Sequence, residues 1–384
     1  MATDKGVWNL QQVRDKQLQD LWSYSSSVNA FFVWGRNQFG ELGQNSPAYA
    51  ALSSPTQIPG SWSKIAGSSG SYNMGGIKSD GTLWGWGRNN YGQLGLNQPG
   101  NSHYSSPVQI TSATNWSEVK LGGALSCLIN TSGELFTMGF NNDGALGINV
   151  KAGSRSSPTQ VPGTTWKQCT VNTYSMAATK TDGTLWTWGA AGHGQLGQNS
   201  RTYYSSPVQV PGTTWGIVDG CGTNGFLATK TDGTLWVWGR GPSGQLGLND
   251  KVMKSSPTQI PGTWGTSIND ISAGPGASGA INTSGELYMW GNGGPGQLAQ
   301  NANTQYSSPK QVPGTTWSAI KIGGDTSFAR KTDGTFWVWG ENEQGKLGID
   351  LPESSMRSSP VQVPGTDWSS AVCSQMMGAA LKLL

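Results

Sequence analysis

The sequence predicts an all-β chain folded as a seven-bladed β-propeller, in which every blade has four strands and one blade is shared by the N- and C-terminal strands. The dipeptide Trp-Gly, replaced once by Met138-Gly139, closes a strand-like run seven times, at intervals of 49 to 52 residues. The tripeptide Ser-Ser-Pro occurs seven times in step with it. The 57 Gly and 19 Pro among 384 residues exceed the usual share of about 12%, which favours many short strands and turns.

Each repeat divides into four strands, and one copy, residues 205–249, reads SSPVQVPGTTWGIVDGCGTNGFLATKTDGTLWVWGRGPSGQLGLN. We expect the first strand to be the PVQV run, the second to begin at Trp215, and the third to be the LATK run. The Asp-Gly pair of TDGT predicts a tight hairpin turn, and the LWVWG run that follows is the fourth strand. Four short strands in each repeat are typical of propeller blades.

The two ends of the chain complete one blade between them. The last residues, 378–384 (GAALKLL), match a third strand and stop where a TDGT turn should follow. The first strand-like run, residues 30–35 (AFFVWG), matches a fourth strand and has no third strand before it. Six whole blades and one shared blade make seven, and the shared blade leaves no open sheet edge. The propeller then spans residues 28–384, with residues 1–27 as a separate segment.

The repeat resembles that of the regulator-of-chromosome-condensation family. The resemblance lies in residues 87–95 (GRNNYGQLG), in the TDGTLWxWG run and in the Gly-Gly pair before the third strand, and it covers residues 28–384. It implies a platform for protein contacts, since that family includes nucleotide-exchange factors, plant ultraviolet photoreceptors and secreted β-lactamase inhibitors. The Gly-Trp-Arg-His-Thr segment of the photoreceptors is replaced here by GSSGSY at 67–72, and no inserted wedge like that of the exchange factors is visible. Neither light sensing nor small-GTPase exchange is therefore predicted.

Charge and composition exclude several classes of function. The net charge is +3 and 12% of the residues are charged, so we expect no nucleic-acid surface. The sequence contains no run of about 18 apolar residues, so membrane insertion is not predicted. The N-terminus lacks the basic and apolar regions of a secretory signal. The two histidines, His103 and His193, lie outside any metal-ligand spacing. We therefore predict no metal site, no cofactor and no enzymatic activity.

The abundant Trp, the turn Asp and the Cys residues are expected to be structural. Seventeen of the 19 Trp begin second strands or occupy fourth strands, and the two aromatic positions of LWxWG share one face of the sheet, where they can pack on the neighbouring blade. The isolated turn carboxylates lack the spacing of calcium ligands; they are Asp80, Asp182, Asp232 and Asp333. Four cysteines are expected to be buried, with a disulfide between blades left open; they are Cys127, Cys169, Cys221 and Cys373.

The Tyr residues and the loops before Ser-Ser-Pro carry the predicted partner-binding site. These loops differ in length and content and are rich in Tyr, Ser, Asn and Gly, as antibody binding loops are, although tolerated surface loops would look the same. Strand direction places them at the same end of the ring as the loops between strands two and three, opposite the Pro-Gly and TDGT turns. The predicted binding residues are Tyr49, Tyr72, Tyr104, Tyr174, Tyr203, Tyr204, Asn224, Phe226 and Tyr306. The expected partner is a protein or a cell-surface glycan.

Residues 1–27 lie outside the repeats and carry a predicted short helix. Apolar residues recur there at roughly helical spacing, so the segment either packs on the ring or docks other proteins. The predicted docking residues are Trp8, Leu10, Val13, Leu18, Leu21 and Trp22. Residues 6–10 (GVWNL) also resemble short N-terminal stretches in structural proteins of tailed bacteriophages.

Two hypotheses for the function follow. The first is a non-enzymatic bacteriophage virion component, associated with a tail or fibre, that recognises a host surface or a neighbouring virion protein. A low-charge surface without an export signal fits a protein that leaves the cell by lysis, and residues 1–27 would then contact other virion proteins. The alternative is a soluble protein-binding propeller, such as a regulator or an enzyme inhibitor.

Overall fold

The computed structural model describes residues 29–46, 49–98, 102–222, 224–352 and 355–384. Within these ranges the chain forms 28 strands and one short 3-10 turn at Glu343–Gly345. The strands make seven antiparallel sheets of four strands each, and the innermost strands of consecutive sheets contact one another around a closed ring. The predicted all-β, seven-bladed propeller is therefore confirmed. The predicted helix in residues 1–27 lies outside the described residues.

The blades are numbered in their order around the ring, and each is given from its innermost to its outermost strand. Blade 2 consists of β3 (Trp62–Ala66), β4 (Asn73–Lys78), β5 (Leu83–Gly87) and β6 (Tyr104–Gln109). Blade 3 consists of β7 (Trp116–Leu121), β8 (Leu125–Asn130), β9 (Leu135–Gly139) and β10 (Arg155–Gln160). Blade 4 consists of β11 (Trp166–Val171), β12 (Ser175–Lys180), β13 (Leu185–Gly189) and β14 (Tyr204–Val210). Blade 5 consists of β15 (Trp215–Gly220), β16 (Gly225–Lys230), β17 (Leu235–Gly239) and β18 (Lys254–Ile260). Blade 6 consists of β19 (Ile271–Ala273), β20 (Ala277–Ile281), β21 (Leu287–Gly291) and β22 (Tyr306–Gln311). Blade 7 consists of β23 (Trp317–Ile322), β24 (Thr326–Lys331), β25 (Phe336–Gly340) and β26 (Arg357–Val363). Blade 1 is β27 (Trp368–Cys373), β28 (Met377–Leu383), β1 (Asn29–Gly35) and β2 (Leu52–Ile58).

The sequence-based division of the repeat was wrong by one strand. The strand that begins at Trp215 is the innermost strand of blade 5, and the Ser-Ser-Pro strand before it, β14, is the outermost strand of blade 4. The pairing shows this directly, since Val210 of β14 lies opposite Leu185 in the same sheet, whereas Trp215 lies opposite Lys230. The Pro-Gly turn between the two strands looks like a hairpin turn in the sequence, but it carries the chain from one blade to the next.

Both ends of the chain contribute two strands to blade 1, so the predicted shared blade is confirmed, divided two and two instead of three and one. β28 pairs with β1 along its whole length, from Asn29 opposite Leu383 to Gly35 opposite Met377. This pair lies in the middle of the sheet, with β27 inside it and β2 outside it. Separating the two ends would therefore break a central strand pair rather than peel away an edge strand.

Apolar side chains are buried in seven separate clusters, one in each joint between neighbouring blades. A fully buried Trp of the Trp-Gly dipeptide lies in six of these joints; these are Trp34, Trp86, Trp188, Trp238, Trp290 and Trp339. Each indole N–H donates to a backbone carbonyl of the preceding blade, as Trp188 does to Ala145 at 3.0 Å. Met138 takes this place between blades 2 and 3. The predicted packing of this Trp on the neighbouring blade is confirmed.

A second contact, which we call the latch, joins each blade to the next through the first residue of the repeated Ser-Ser-Pro. The backbone carbonyl of the first Ser accepts a hydrogen bond from the N–H of an Asn or Asp in the preceding blade, at 2.7 to 3.0 Å in all seven joints. Between blades 4 and 5 the pair is Asn199 and Ser255, and the Ser256 hydroxyl also donates to Oδ1 of Asn199. The Asn or Asp has a positive φ in every latch, a conformation that these two residue types tolerate better than most.

The glycine of the Trp-Gly dipeptide is required by the loop beside it. Gly239 has a φ of +104°, and a Cβ there would lie 2.3 Å from the carbonyl oxygen of Asn224. The close approach lets the N–H of Arg240 donate to that same carbonyl at 2.9 Å. The contact therefore holds the end of the third strand against the loop between the first and second strands, and it places one side chain from each segment side by side.

Candidate partner-binding face

The two ends of the ring differ in regularity. One end, the turn face, carries the Pro-Gly turns between blades and the TDGT or TSGE turns. The two kinds of turn are joined by backbone hydrogen bonds, such as the one that the N–H of Trp215 donates to the carbonyl of Gly183. The other end, the loop face, carries the inner loops between first and second strands and the outer loops between third and fourth strands. These two sets of loops meet in contacts such as the N–H of Ala190 donating to the carbonyl of Tyr174, at 2.9 Å. The predicted grouping of both irregular loops at one end is confirmed.

The turn face is built from one module that recurs in several blades. In blade 4, Nζ of Lys180 lies 4.6 Å from a ring centre of Trp166 and 4.9 Å from one of Trp186, which is cation–π geometry. The Trp186 indole donates to Thr184, and the hydroxyl and N–H of Thr184 both donate to Asp182. The hydrogen bond from the Thr184 hydroxyl, and to a lesser extent the one from the Thr184 N–H, hold the pKa of Asp182 below its usual value. The same module recurs around Lys78, Lys230 and Lys331.

The first Trp of LWxWG therefore differs from the second. Trp186 is half-buried beside its Lys on the turn face, while Trp188 is fully buried in the joint. The turn Asp residues stand in hairpin turns, as predicted. In blades 3 and 6 the module is replaced by an Asn whose amide donates to the Glu of TSGE, as Asn130 does to Glu134 at 2.6 Å.

A cleft of about 640 Å³ lies near the turn face at the joint between blades 5 and 6. Pro261, Trp264 and Tyr288 are among the residues that line it. It lies where the Pro-Gly turn has one Thr fewer than the PGTTW turns of other joints, and where Asn282 and Tyr288 replace the Lys and Trp of the module. The cleft is a local departure of blade 6 and does not extend around the ring.

Metal binding and disulfide bonding find no support in the part of the chain that the structure describes. No group of three His, Cys, Asp or Glu side chains there is placed to hold a metal ion. The four cysteines are buried, as predicted, and free, and burial raises the pKa of Cys373 to about 12. Among the described residues, no helix has both the length and the apolarity that crossing a membrane requires.

The central channel is nearly filled by side chains of the inner strands. A cavity of only about 40 Å³ remains, and its charged lining residues are Lys120, Asp219 and Lys321. Lys120 and Asp219 form an ion pair at 3.5 Å, whereas Nζ of Lys321 donates to the carbonyl of Ile268 at 3.1 Å. Burial, with a further contribution from Lys120, lowers the pKa of Lys321 to about 8. A cavity of this size cannot admit a drug-sized ligand.

On the loop face, two residues in each blade lie next to one another, and their identities differ from blade to blade. One follows the Trp-Gly or Met-Gly dipeptide, and its N–H donates to the carbonyl of the other, in the inner loop, at 2.8 to 3.1 Å. From blade 1 to blade 7 the pairs are Arg36 and Met376, Arg88 and Tyr72, Phe140 and Ala124, Ala190 and Tyr174, Arg240 and Asn224, Asn292 and Gly276, and Glu341 and Asp325. The backbone contact is the same in all seven blades while the side chains are apolar, cationic or acidic. Variable side chains on a fixed scaffold are typical of a binding surface.

Five aromatic side chains, which we call the aromatic arc, lie on the loop face of blades 1 to 4 in two packed groups: Phe39 with Tyr72, and Phe140 with Tyr91 and Tyr174. The ring centres of Phe39 and Tyr72 are 5.4 Å apart, and Phe140 lies 5.2 Å from Tyr91 and 5.3 Å from Tyr174. Tyr91 and Tyr174 remain 37% and 39% exposed. Aromatic side chains offer a large contact area at low entropic cost, so the arc is the part of the loop face best suited to hold a partner.

Five predicted binding residues lie on the loop face. Tyr72 and Tyr174 belong to the aromatic arc. Tyr49 and Tyr203 are 65% and 40% exposed on the outer loops of blades 1 and 4. Asn224 is half-buried in the inner loop of blade 5. Their contact with a partner remains a prediction.

Four predicted binding residues lie in the blades themselves, and their placement in free loops was wrong. Tyr104, Tyr204 and Tyr306 are the half-buried first residues of β6, β14 and β22, because each outer strand begins before the Ser-Ser-Pro. Phe226 is fully buried in the joint between blades 4 and 5, with its ring centre 6.0 Å from that of Trp238. Its position in β16 directs it into the joint, so it cannot contact a partner.

The sequence-based prediction missed Phe39, Tyr91, Phe140 and the two stacked arginines, Arg36 and Arg88. A signal for three of them was present, because the position after the Trp-Gly or Met-Gly dipeptide reads Arg, Arg, Phe, Ala, Arg, Asn and Glu in the seven blades. Because the residue after this recurring dipeptide differs from blade to blade, the fold does not constrain its side chain. The predicted docking segment lies outside the described residues; its residues are Trp8, Leu10, Val13, Leu18, Leu21 and Trp22.

A closed seven-bladed propeller with one uniform face and one variable face defines a rigid platform for contacts. Six segments match the family described as the regulator of chromosome condensation (RCC1) repeat, at 80–129, 132–171, 182–224, 232–281, 284–330 and 333–381, and a second pattern of the same description matches 65–93. The chain belongs to the RCC1 repeat family, and the resemblance seen in the sequence is confirmed.

Relatives of this chain are found among curated proteins and solved structures. The chain is 30% identical over 175 residues to the ultraviolet-B receptor UVR8 of Arabidopsis thaliana, a stretch that covers 43% of this chain and only 38% of that protein. Human WBSCR16 has a similar structure, with a TM-score of 0.78 at 21% identity, covering 92% of this chain and 99% of that one. Prp20p from Saccharomyces cerevisiae superimposes with a TM-score of 0.79 at 18% identity, covering 94% and 92%. These two structural likenesses establish the fold alone.

Proposed function

We propose that this chain is a non-enzymatic binding protein that regulates or inhibits another protein by holding it against the loop face. The observation that carries the proposal is the set of seven paired positions with one backbone contact and different side chains. Aromatic and Arg side chains are enriched among residues that dominate interface energies, and here they cluster on four consecutive blades. The family supports protein binding, since the structure of Prp20p is described together with its binding to Gsp1p and histones.

A protein partner fits the aromatic arc better than a glycan. The arc spans four blades and is bordered by Arg36 and Arg88, which suits a surface of the size that stable protein complexes bury. The virion hypothesis rests on residues 6–10, outside the described residues, and on a low-charge surface without an export signal, and the family match gives it no support. The protein-binding propeller is therefore the function proposed.

Photo-cross-linking tests which face binds the partner. Benzoylphenylalanine is placed at Tyr91 or Tyr174 on the loop face, and at Asp232 or Ile268 on the turn face, in the full chain added to an extract of the cells that make it. We expect discrete protein adducts from the two loop-face positions and none from the two turn-face positions. Ile268 is a matched control because it is 38% exposed, like the two Tyr residues, and lies in a loop whose ends, Gly265 and Asp270, both bond to Ile281 at the turn-face end of β20. Adducts that form at the turn face, or equally at all four positions, would contradict the proposal.

A further inference from the structure

Arg88 carries a positive charge that no side chain among the described residues pairs with. Its Nε is shielded from solvent and donates to none of their atoms, and the ion pairs found in the described ranges involve other residues. The guanidinium lies over two aromatic rings, with its carbon 5.3 Å from the ring centre of Phe39 and 5.8 Å from that of Tyr72. Stacking on two rings fixes the direction of a side chain that would otherwise be mobile.

Arg36 repeats this arrangement one blade away. It holds the equivalent position in blade 1, its Nε also has no hydrogen-bond partner among the described residues, and its guanidinium carbon lies 5.9 Å from the ring centre of Tyr49. Arg240 holds the same position in blade 5 but is exposed, and no cation–π contact is found for it in the described part of the chain. Two of the three arginines at this position are therefore oriented by aromatic rings.

Arg88 opens onto a cleft of about 200 Å³ on the loop face. Tyr91 and Tyr174 line the cleft together with segments of the inner loops of blades 2, 3 and 4, at 68–70, 123–124 and 171–174. Ser68 and Ser69 are among the lining residues, although the Ser69 hydroxyl donates to the carbonyl of Ala273, and none of the described lining residues is acidic. The cleft therefore combines an oriented cation and two aromatic walls, without an anion of its own.

The positive field around Arg88 acts on its neighbour His103. Burial, and then the charge of Arg88, lower the pKa of His103 from its usual 6.5, which disfavours a second positive charge beside Arg88. His103 packs edge-on against Phe39, with ring centres 4.9 Å apart. It therefore adds to the aromatic cluster that supports Arg88.

We propose that this cleft binds the carboxylate of an acidic side chain, and that the protein partner presents an acidic peptide segment across the loop face of blades 1 to 4. This inference rests on the proposed function and specifies the chemistry of the partner. A guanidinium forms two parallel, charge-assisted hydrogen bonds with a carboxylate, and orientation beforehand by Phe39 and Tyr72 reduces the entropy lost on binding. Tyr91 and Tyr174 contact the apolar part of the side chain, and Arg36 pairs with a second acidic residue of the same segment.

Binding of short homopeptides to the full chain tests this inference. The probes are fluorescently labelled hexaglutamate, hexaglutamine and hexalysine, and anisotropy gives the dissociation constants. We expect hexaglutamate to bind about tenfold more tightly than hexaglutamine, the factor that one additional charged contact of roughly 1.4 kcal/mol supplies. Arg88→Gln should remove this preference, and Arg88→Lys should weaken it because Lys lacks the planar fork.

Arg240→Gln is the matched control, since it removes the same charge from the same position of a blade that lacks the stacking. It should retain the preference for hexaglutamate. A preference that survives Arg88→Gln, or that Arg240→Gln removes equally, would overturn the inference and indicate unspecific attraction. Tyr91→Ala supplies a second variant at the opposite wall, and it should weaken hexaglutamate binding even if Arg88→Gln disturbs the fold. Absence of any preference together with intact loop-face cross-links would reject the carboxylate site and leave the proposed function standing.

Discussion

The backbone N–H of Asp350 donates to the carbonyl oxygen of Ser53 at 3.0 Å, which makes the seventh latch of the ring. The Ser53 hydroxyl also donates to Oδ1 of Asp350. These two residues stand 297 positions apart in the chain, yet they repeat the contact that Asn199 makes with Ser255 between neighbouring blades. The joint between blades 7 and 1 is therefore built like the other six, although its latch joins residues from the two halves of the chain.

Breaking one latch should destabilise the propeller in two separable steps. Asn199→Gly removes the side-chain bonds to Ser255 and Ser256, and should lower the free energy of unfolding by about 1 kcal/mol. Asn199→Ala removes the same bonds but keeps a Cβ at a φ of +53° without the polar group that helps Asn tolerate this conformation, which should cost about 1 to 2 kcal/mol more than Gly. Denaturant melts measure both. Equal losses for Ala and Gly would show that the positive φ carries no strain.

The two Trp of one strand should differ in their contributions to stability. Trp238→Ala empties a joint in which the ring is fully buried, and should cost about 3 to 5 kcal/mol. Trp236→Ala removes a half-buried ring of the turn-face module and should cost less than half as much. Urea melts of the two variants decide this, and a Trp236→Ala loss as large as that of Trp238→Ala would contradict the assignment of the two rings.

Two lysines of the channel should respond in opposite ways to the same substitution. Lys120→Met removes the ion pair of Asp219 and should lower stability. Lys321→Met removes a cation that is destabilised in the fold, since its pKa of about 8 lies below the usual 10.5, and should raise the melting temperature at pH 7. The unfolded chain holds the Lys321 proton more tightly, so the gain is complete below pH 8 and shrinks toward pH 10.5. Thermal melts across this range measure it, and a gain that is independent of pH would contradict the role of the charge.

The turn Asp residues should set part of the acid limit of stability. Bonds from the Thr hydroxyl and N–H lower the pKa of each one in the fold from its usual 3.8; they are Asp80, Asp182, Asp232 and Asp333. Their contribution is present above pH 3.8 and is lost as the pH falls through the lowered pKa. Replacing all four by Asn keeps an acceptor for the Thr N–H but removes the titration. The variant should therefore lose less stability on acidification than the parent chain, and an unchanged slope in acid melts would refute this.

The repeat made most of the fold predictable, because every blade repeats the same pairing and the same joint. Trp-Gly supplies the indole that is buried in a joint, and Ser-Ser-Pro supplies the carbonyl of a latch. Both motifs therefore recur at nearly fixed intervals. The phase of the blade was not predictable from spacing alone. A Pro-Gly turn has the same local chemistry whether it joins strands within a blade or crosses between blades, and only the pairing of Val210 with Leu185 distinguishes the two.

The candidate site was predictable only in outline. Strand direction placed both irregular loops on one face, but composition alone could not separate exposed Tyr203 from Tyr104, which begins a strand and packs in a joint. The stacking of Arg88 on Phe39 and Tyr72 joins three separate segments of the chain from two blades. Such contacts depend on the geometry of neighbouring blades, which the spacing of residues does not encode.

The central claim is that the loop face holds the partner, and the affinity of the cross-linked partner for two matched variants tests it most directly. Tyr91→Ala combined with Tyr174→Ala removes exposed rings from the aromatic arc, while Ile268→Ala removes a side chain of similar exposure from the turn face. We expect the first variant to weaken the dissociation constant at least about tenfold, in keeping with interface aromatic residues, with an unchanged melting temperature, and the second to bind like the parent chain. Full affinity in the loop-face variant, or a loss of affinity caused by Ile268→Ala, would contradict the claim.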